Sequence, residues 1–444
     1  MEEGIVIYSA DLTLPIASPP ISDGAVAVRG SRVLFAGKRP DVIDDLKAMG
    51  LAYTERRFGG IIAPGLVNAH THLQYTGMGA LGSFVHKDFH EWALAFNDVY
   101  EPLVKASNPP WRDWALDGAR RLIESGTAAA ADVVTNPEAA DALSSSGLDG
   151  LAYWEVINET NEDWADCKRS ESEHRILGHI ASFPRIPGAG ISPHAPYSLD
   201  KLPLLELPGI ARRNRLRLHM HLLESPMEKE MDDPCRQYRD WHSFKAKDFS
   251  LMRLGGNGES SLRYADRLGL LGPDCHIAHG VYATKDDLEI LRKRGTSTAL
   301  CPRSNFIAGL DEPPVALYLS EGNPIAIGTD SLSSSPSLDL MDDVAALSAL
   351  AKKQGYGSVD LPRRLLAAAT LGGAAALGRA SGEGRIGCLC PGALAHLAFF
   401  NISAGRGESG VNEALSELAE SGGGKCACTI IGGEIKYQAE NTWL

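Results

Sequence analysis

Short apolar runs separated by turn residues dominate the first sixty positions. Gly4-Ile5-Val6-Ile7-Tyr8, Gly24-Ala25-Val26-Ala27-Val28 and Arg32-Val33-Leu34-Phe35-Ala36 read as strands. Gly30-Ser31 between the last two marks a hairpin. The C-terminus repeats the style. Leu394 to Phe400 is apolar, and Thr429-Ile430-Ile431 and Glu434-Ile435-Lys436-Tyr437 flank Gly432-Gly433. This predicts one small β-sandwich built from both chain ends, residues 1–60 and 385–444. From Pro64 to about Gly384 the pattern changes, and apolar runs alternate with helical periodicity. The strand candidates are Ile61–Val67, Ala128–Val134, Leu151–Val156, Ala189–Ser192, Leu216–Met220, Cys275–His279, Ser297–Leu300 and Pro324–Ile327. That alternation predicts an α/β fold, a parallel (β/α)8 barrel over residues 61–384. Met227–Ser261 is polar, charged and Gly-rich near its end, and it reads equally as a lid or as a surface excursion. Gly422-Gly423-Gly424 reads as a turn between sandwich strands.

A length of 444 residues suits a large barrel plus a smaller domain. Charged residues at 22% and hydrophobic residues at 44% place the chain among ordinary globular enzymes. A net charge of −13 argues against a nucleic-acid backbone as partner. It does not exclude a small anionic substrate, because one local arginine can override the global field. The N-terminus lacks the basic and apolar regions of a signal peptide, and no apolar run reaches the length of a membrane span. The eight cysteines are scattered, unlike a secreted disulfide framework. The expected setting is the cytoplasm, without a membrane partner.

Candidate chemistry sits at the strand ends, where a parallel barrel carries its functional residues. An apolar run ends in His70-Thr71-His72. Imidazoles at i and i+2 on a strand share a face and can reach one metal ion. His221 closes the run from Leu216 and is followed three residues later by Glu224. His219 lies on the same strand face, but the His-x-x-Glu pair puts a carboxylate beside the metal and favours His221, leaving His219 as a packed or supporting histidine. His279 closes Cys275–His279 as a fourth nitrogen ligand or as an electrophile beside the metal. His276, three residues earlier, is expected on the opposite face against the outer helices. Asp330 follows Pro324–Thr329 and can bind the metal and take a proton from water. Its alternative is a helix cap, since residues 331–337 are cap-rich. No lysine near the third and fourth strands is placed for a carbamate bridge, so one metal is expected. In the chemistry these roles imply, the metal lowers the pKa of water and Asp330 accepts a proton. Glu224 protonates a ring nitrogen of the substrate, and ammonia leaves. Cys388, Cys390, Cys426 and Cys428 form two Cys-x-Cys pairs that could hold a second zinc, but the usual spacing is Cys-x-x-Cys and buried thiols are the simpler reading.

On these residues the chain resembles the amidohydrolase superfamily, in its cytosine deaminase-like and chlorohydrolase-like branch. The likeness runs nearly end to end, through Pro64–Leu73, Ser192–Tyr197, His221–Ser225, Cys301–Asn305 and Gly328–Ser331. It implies a distorted TIM barrel with a split β-sandwich and a homodimer. It also implies one divalent metal, zinc by preference with iron or manganese as alternatives, held by His70, His72, His221 and Asp330. Glu224 matches the family's proton shuttle and His279 its additional catalytic histidine. Tyr153-Trp154-Glu155-Val156, Glu224-Ser225-Pro226 and Cys301–Asn305 look like aminodeoxyfutalosine deaminases. Glu101, nine residues after Trp92 in a pattern read as a helix over Phe89–Val104, matches a glutamate that binds ribose hydroxyls in S-adenosylhomocysteine and methylthioadenosine deaminases. His194 matches a substrate-contacting histidine of the same enzymes. Arg303 and Asn305 complete the expected substrate contacts. An arginine those enzymes use after the third strand has no clear counterpart, Gln74-Tyr75-Thr76 departs from the futalosine pattern, and His396 stands where many relatives have aspartate. The resemblance therefore implies a small-molecule deaminase acting on 6-aminodeoxyfutalosine, S-adenosylhomocysteine, methylthioadenosine or a similar adenosine-type nucleoside. The alternative is a guanine or pterin deaminase or a triazine-type hydrolase.

Overall fold

A computed structural model describes residues 4–165, 167–183, 188–228, 248, 259–405 and 407–444. Its fifteen described strands are β1 Ile5–Thr13, β2 Ile21–Arg29, β3 Arg32–Lys38, β4 Tyr53–Pro64, β5 Leu66–Thr71, β6 Thr127–Val134, β7 Asp149–Val156, β8 Ala189–Pro193, β9 Arg217–Leu222, β10 Cys275–His279, β11 Ser297–Leu300, β12 Ile325–Ile327, β13 Leu397–Phe400, β14 Cys426–Ile431 and β15 Glu434–Gln438. They form two sheets. One has the order β15-β14-β13-β4-β1-β2-β3 and draws on both chain ends, which makes the small β-sandwich. Its hairpins follow the glycines. Arg29 pairs with Arg32 across Gly30-Ser31, and Gly432 and Gly433 both take positive φ between β14 and β15, as a two-residue turn of right-handed strands requires.

The other sheet runs β5 to β12 in chain order, and each described pairing within it is parallel. A parallel bridge between Thr71 and Asp330 joins its two edges and nearly closes the barrel. Small residues fill the barrel floor: Ala69, Ala129, Ala131, Ala299 and Ala326 pack with Val67 and Tyr153. A larger apolar cluster, including Leu218, Met220, Ile277, Leu288, Leu291 and Leu347, joins strands to helices. The sandwich meets the barrel at Asp149, whose carboxylate takes His396 Nε2 at 2.9 Å and Arg379 at 3.0 Å. No helix among the described residues is long and apolar enough to cross a membrane.

Two expectations shift. The apolar stretch Ile61–Val67 is not one strand. Its first half ends β4 in the sandwich sheet, where Ile61–Pro64 pairs with β13, and the barrel strand begins at Leu66. Gly65 is the break: a Cβ there would sit 2.4 Å from Ala128 Cβ. Gly422–Gly424 does not join two strands but follows a helix, Gly407–Ser421, inserted between β13 and β14. In the Met227–Ser261 stretch, residues 229–247 and 249–258 lie outside the described residues, so the lid expectation falls there.

Candidate metal centre

β5 is buried along its whole length and delivers His70 and, just past its end, His72 to the barrel mouth. The local sequence fixes this approach. Asn68 Nδ2 donates to Thr329 Oγ1 at 2.7 Å, tying β5 to the segment before Asp330. The Asp132 carboxylate accepts from Thr71 Oγ1 at 3.0 Å and from the Leu73 N–H at 2.9 Å, which anchors the turn after the histidines. Asp330 N–H donates to His70 O at 3.0 Å. Three residues at strand ends take left-handed backbone angles: Leu223 (φ 54°), His279 (φ 75°) and Asp330 (φ 59°). Such angles are strained for residues with a side chain and are held here by the surrounding bonds.

The imidazoles converge. His72 Nε2 lies 3.1 Å from His221 Nε2. His70 Nε2 and His72 Nε2 lie 3.6 and 3.8 Å from Asp330 Oδ1. The far sides of two of the rings are occupied: His70 Nδ1 meets His219 Nε2 at 2.9 Å, and His221 Nδ1 donates to His194 O at 3.1 Å. Asp330 Oδ2 accepts from Ser304 Oγ at 2.6 Å and Ser334 Oγ at 2.9 Å, which turns Oδ1 toward the histidines. His279 Nδ1 donates to Asn305 Oδ1 at 2.9 Å, and His279 Nε2 lies 3.5 Å from Glu224 Oε1. Glu224 Oε2 accepts from the Tyr197 hydroxyl.

Burial decides the protonation states. It drives His70 and His221 well below the ordinary histidine range and His72 down to about 4, so these rings are neutral near pH 7. Neutral imidazole is the metal-ligating form. Burial raises the Glu224 carboxyl, which favours the proton-carrying state. His70 Nε2 and His279 Nε2 are buried without a hydrogen-bond partner, an expensive arrangement unless the lone pairs serve an ion. Three overlapping buried groups offer ligand atoms within 4.8 Å of one another: His70 with His221 and His279, His70 with His72 and Asp330, and His72 with Glu155 and His221. These donors fit one divalent metal. Among the described residues no such group contains a cysteine.

Beside the cluster opens a cavity of about 310 Å³. Helix Phe89–Val104 forms one wall with Phe89, Trp92, Phe96 and Tyr100, and Tyr75, Tyr197 and His194 face it. Of the four substrate contacts expected from the resemblance, the structure brings only His194 to the lining. Glu101 sits on that helix with its side chain 65% exposed, paired with Lys105 at 3.0 Å. Arg303 turns away to Ser337 Oγ and Asp343 Oδ2, both at 2.7 Å. Asn305 is buried behind His279. His219 supports His70, in line with the expectation. His276 does not pack on the outer helices: its ring lies 4.2 Å from that of His219 and its Nε2 reaches Ala69 O at 3.0 Å, inside the barrel. The left-handed angle at His279 breaks strand alternation, so parity counted back from His279 fails. Glu155, Thr135 and Tyr197 were missed as lining residues. A strand-end rule applied to Leu151–Val156 would have found Glu155.

A model of the amidohydrolase family matches residues 61–436. The chain is 29% identical over 423 residues to a 5-methylthioadenosine/S-adenosylhomocysteine deaminase of Halobacterium salinarum, covering 94% of this chain and 88% of that protein. It is also 29% identical over 367 residues to an aminodeoxyfutalosine deaminase of Deinococcus radiodurans, covering 80% and 82%. In fold it is similar to the crystal structure of an adenosine deaminase from Xanthomonas campestris with bound zinc, at a TM-score of 0.78 and 23% identity, covering 100% of this chain and 95% of that one. A Helicobacter pylori aminofutalosine deaminase in complex with methylthio-coformycin gives a TM-score of 0.77 at 18% identity, covering 97% and 99%.

Proposed function

The chain belongs to the amidohydrolase family and is a hydrolase of that carbon–nitrogen-cleaving type, and from this premise we propose that it is a zinc-dependent deaminase of a purine-type ring, most readily of an adenosine-type nucleoside. One observation carries the reading: a buried set of histidines and one aspartate, with a glutamate whose carboxyl burial raises and an aromatic cavity beside it. His70, His72, His221 and Asp330 would hold the ion. When bound, the ion supplies Lewis acidity and brings the pKa of water toward neutrality. Asp330 Oδ1 accepts the proton of the attacking water, while Ser304 and Ser334 hold the other oxygen in place. Glu224 gives its proton to the ring nitrogen next to the attacked carbon, and Tyr197 fixes its carboxyl. His279, aligned by Asn305, donates to or accepts from the new oxygen substituent. The rings of Trp92, Phe96, Tyr100 and Tyr197 suit a flat heterocycle, which they would stack upon and shield from water.

The nucleoside reading draws on the names of the similar proteins: methylthioadenosine, S-adenosylhomocysteine and 6-aminodeoxyfutalosine are the substrates to try first. A second reading, a guanine or pterin deaminase or a triazine-type hydrolase, is favoured by one observation, the exposed position of Glu101 away from the cavity that a ribose would need. We also propose a catalytic barrel from Leu66 to about Gly384, a sandwich of the segments before and after it, and a cytoplasmic homodimer. Ammonia release across adenosine-type nucleosides, guanine, a pterin and an aminotriazine decides between the two readings. Preference for a free base replaces the nucleoside reading with the second.

A further inference from the structure

The roles above leave one buried carboxylate at the site unused. Glu155, at the end of β7, lines the cavity, and one of its oxygens lies within 4.8 Å of ring nitrogens of His72 and His221. Its two oxygens differ. Oε2 accepts from Thr135 Oγ1 at 2.6 Å, whereas Oε1 is buried with no hydrogen-bond partner. The direction of the Thr135 bond is fixed by its neighbours. The N–H groups of Thr135 and Asn136 both donate to Gln74 Oε1 at 3.2 Å, so the Gln74 amide presents Nε2 to Thr135 Oγ1 at 2.8 Å. The Tyr75 hydroxyl donates to the same oxygen at 3.0 Å. Both lone pairs of Thr135 Oγ1 are then filled, and its single proton goes to Glu155. The result is a built site beside the reacting position: one carboxylate oxygen pinned from behind, the other left as an acceptor. No lysine or arginine is among the described residues lining the cavity, so no side-chain cation of those two types answers it.

A group that meets this oxygen beside the attacked carbon needs an N–H or O–H. A purine or related ring undergoing deamination always offers one there, the exocyclic amine itself. We propose that Glu155 is a specificity-determining residue whose free oxygen accepts an N–H of the leaving amino group, selecting amines over chloro and alkoxy leaving groups. This rests on the deaminase reading above. In the reaction the water oxygen bonds to the ring carbon and the exocyclic C–N bond breaks with its electron pair on nitrogen. One water proton ends on the ring nitrogen, the other on the departing amine, which leaves as ammonia. Glu155 holds the amine throughout by a hydrogen bond that strengthens as the nitrogen gains its proton. A chloride or methoxy group has no proton to offer and would set its lone pairs against the carboxylate.

Glu155→Gln tests this sharply, because Thr135 still has only a proton to give. The amide oxygen must face Thr135, which turns the NH₂ into the cavity and converts the acceptor to a donor at constant size. The assay compares kcat/KM of the metal-loaded wild type and variant on the amino, chloro and methoxy forms of one ring: purine riboside at C6, hypoxanthine at C2 and s-triazine. The amine-to-chloro ratio is expected to fall by about 10²-fold or more, since a site built to pair a donor rejects its absence strongly. Metal content by elemental analysis is expected to be unchanged. An unaltered ratio would overturn the inference alone. So would an equal loss on all leaving groups, which would place Glu155 on the water, and so would loss of metal, which would make it a ligand. If wild type hydrolyses no amino-substituted ring, the deaminase reading falls and takes this inference with it. Should Glu155→Gln not fold, Glu155→Ala reads the same ratio, with the same direction expected.

Discussion

Glu228 carries no assigned chemistry, yet the turn that presents Glu224 hangs from it. Its fully buried carboxylate receives the N–H of Leu223 at Oε1 (2.9 Å) and those of Glu224 and Ser225 at Oε2 (2.9 and 3.1 Å), with Ser261 Oγ on Oε1 at 3.1 Å. The same turn contains the left-handed Leu223. Glutamine is isosteric but can offer only one oxygen. With its NH₂ on the side of Leu223 and Ser261, the Ser261 hydroxyl turns and accepts, but the Leu223 N–H loses its acceptor and faces another N–H. A buried donor left unpaired costs about 1–3 kcal/mol, so Glu228→Gln should destabilise the fold by that amount, less what the turn recovers by moving. Movement of the turn shifts Glu224 and shows as a lower kcat instead. Reversible urea unfolding of the metal-loaded protein, run beside steady-state kinetics, reads both. A loss below about 0.5 kcal/mol, the size of an ordinary surface change, together with unchanged kcat would refute the role given to these bonds.

The remaining predictions concern the centre itself. His72→Ala and Asp330→Ala are expected to lose the metal in elemental analysis, and full retention in both would remove them as ligands. Glu224→Gln is expected to keep the metal and lose about 10²–10⁴-fold in kcat, because the amide preserves shape but carries no transferable proton; near wild-type turnover would mean the proton travels elsewhere. Burial holds His276 down at about 3, against 6.5 for a free histidine. Its stabilising contribution is therefore complete above pH 6.5 and is lost as the pH falls toward 3, because the unfolded chain takes up a proton that the folded chain refuses. The stability difference between wild type and His276→Gln should shift against the wild type across that window, by up to about 1.4 kcal/mol per pH unit, and a pH-independent difference in denaturation experiments would contradict it.

Most of the architecture was legible in the chain because it rests on local patterns. Alternating apolar runs marked the barrel strands, and the helix over Phe89–Val104 emerged as read. The first barrel strand was misplaced because Ile61 to Val67 is continuously apolar. The break at Gly65 is set by the close approach of Ala128, which is a contact across the fold. The histidines and carboxylates of the centre were legible because strand ends carry them in fixed short motifs. His276 was misjudged because alternation was extrapolated through His279, where the backbone turns left-handed. The substrate contacts were the least legible. Arg303 and Asn305 sit in the quoted motifs, but the direction of each side chain depends on distant partners, Ser337 and Asp343 for the first and His279 for the second, while Glu101 faces solvent and pairs with Lys105 one helical turn on. Glu155 was legible by the same strand-end rule, which was not applied to the run Leu151–Val156.

Ammonia release from the substrate panel, measured on metal-free protein titrated with zinc, tests the central claim most directly. The account predicts that release from at least one amino-substituted ring rises with added zinc and saturates at one equivalent per chain, and that Glu224→Gln loaded with the same zinc releases almost none. Fully loaded wild-type protein that frees no ammonia from any of these rings, or that frees it equally well without metal, would contradict it.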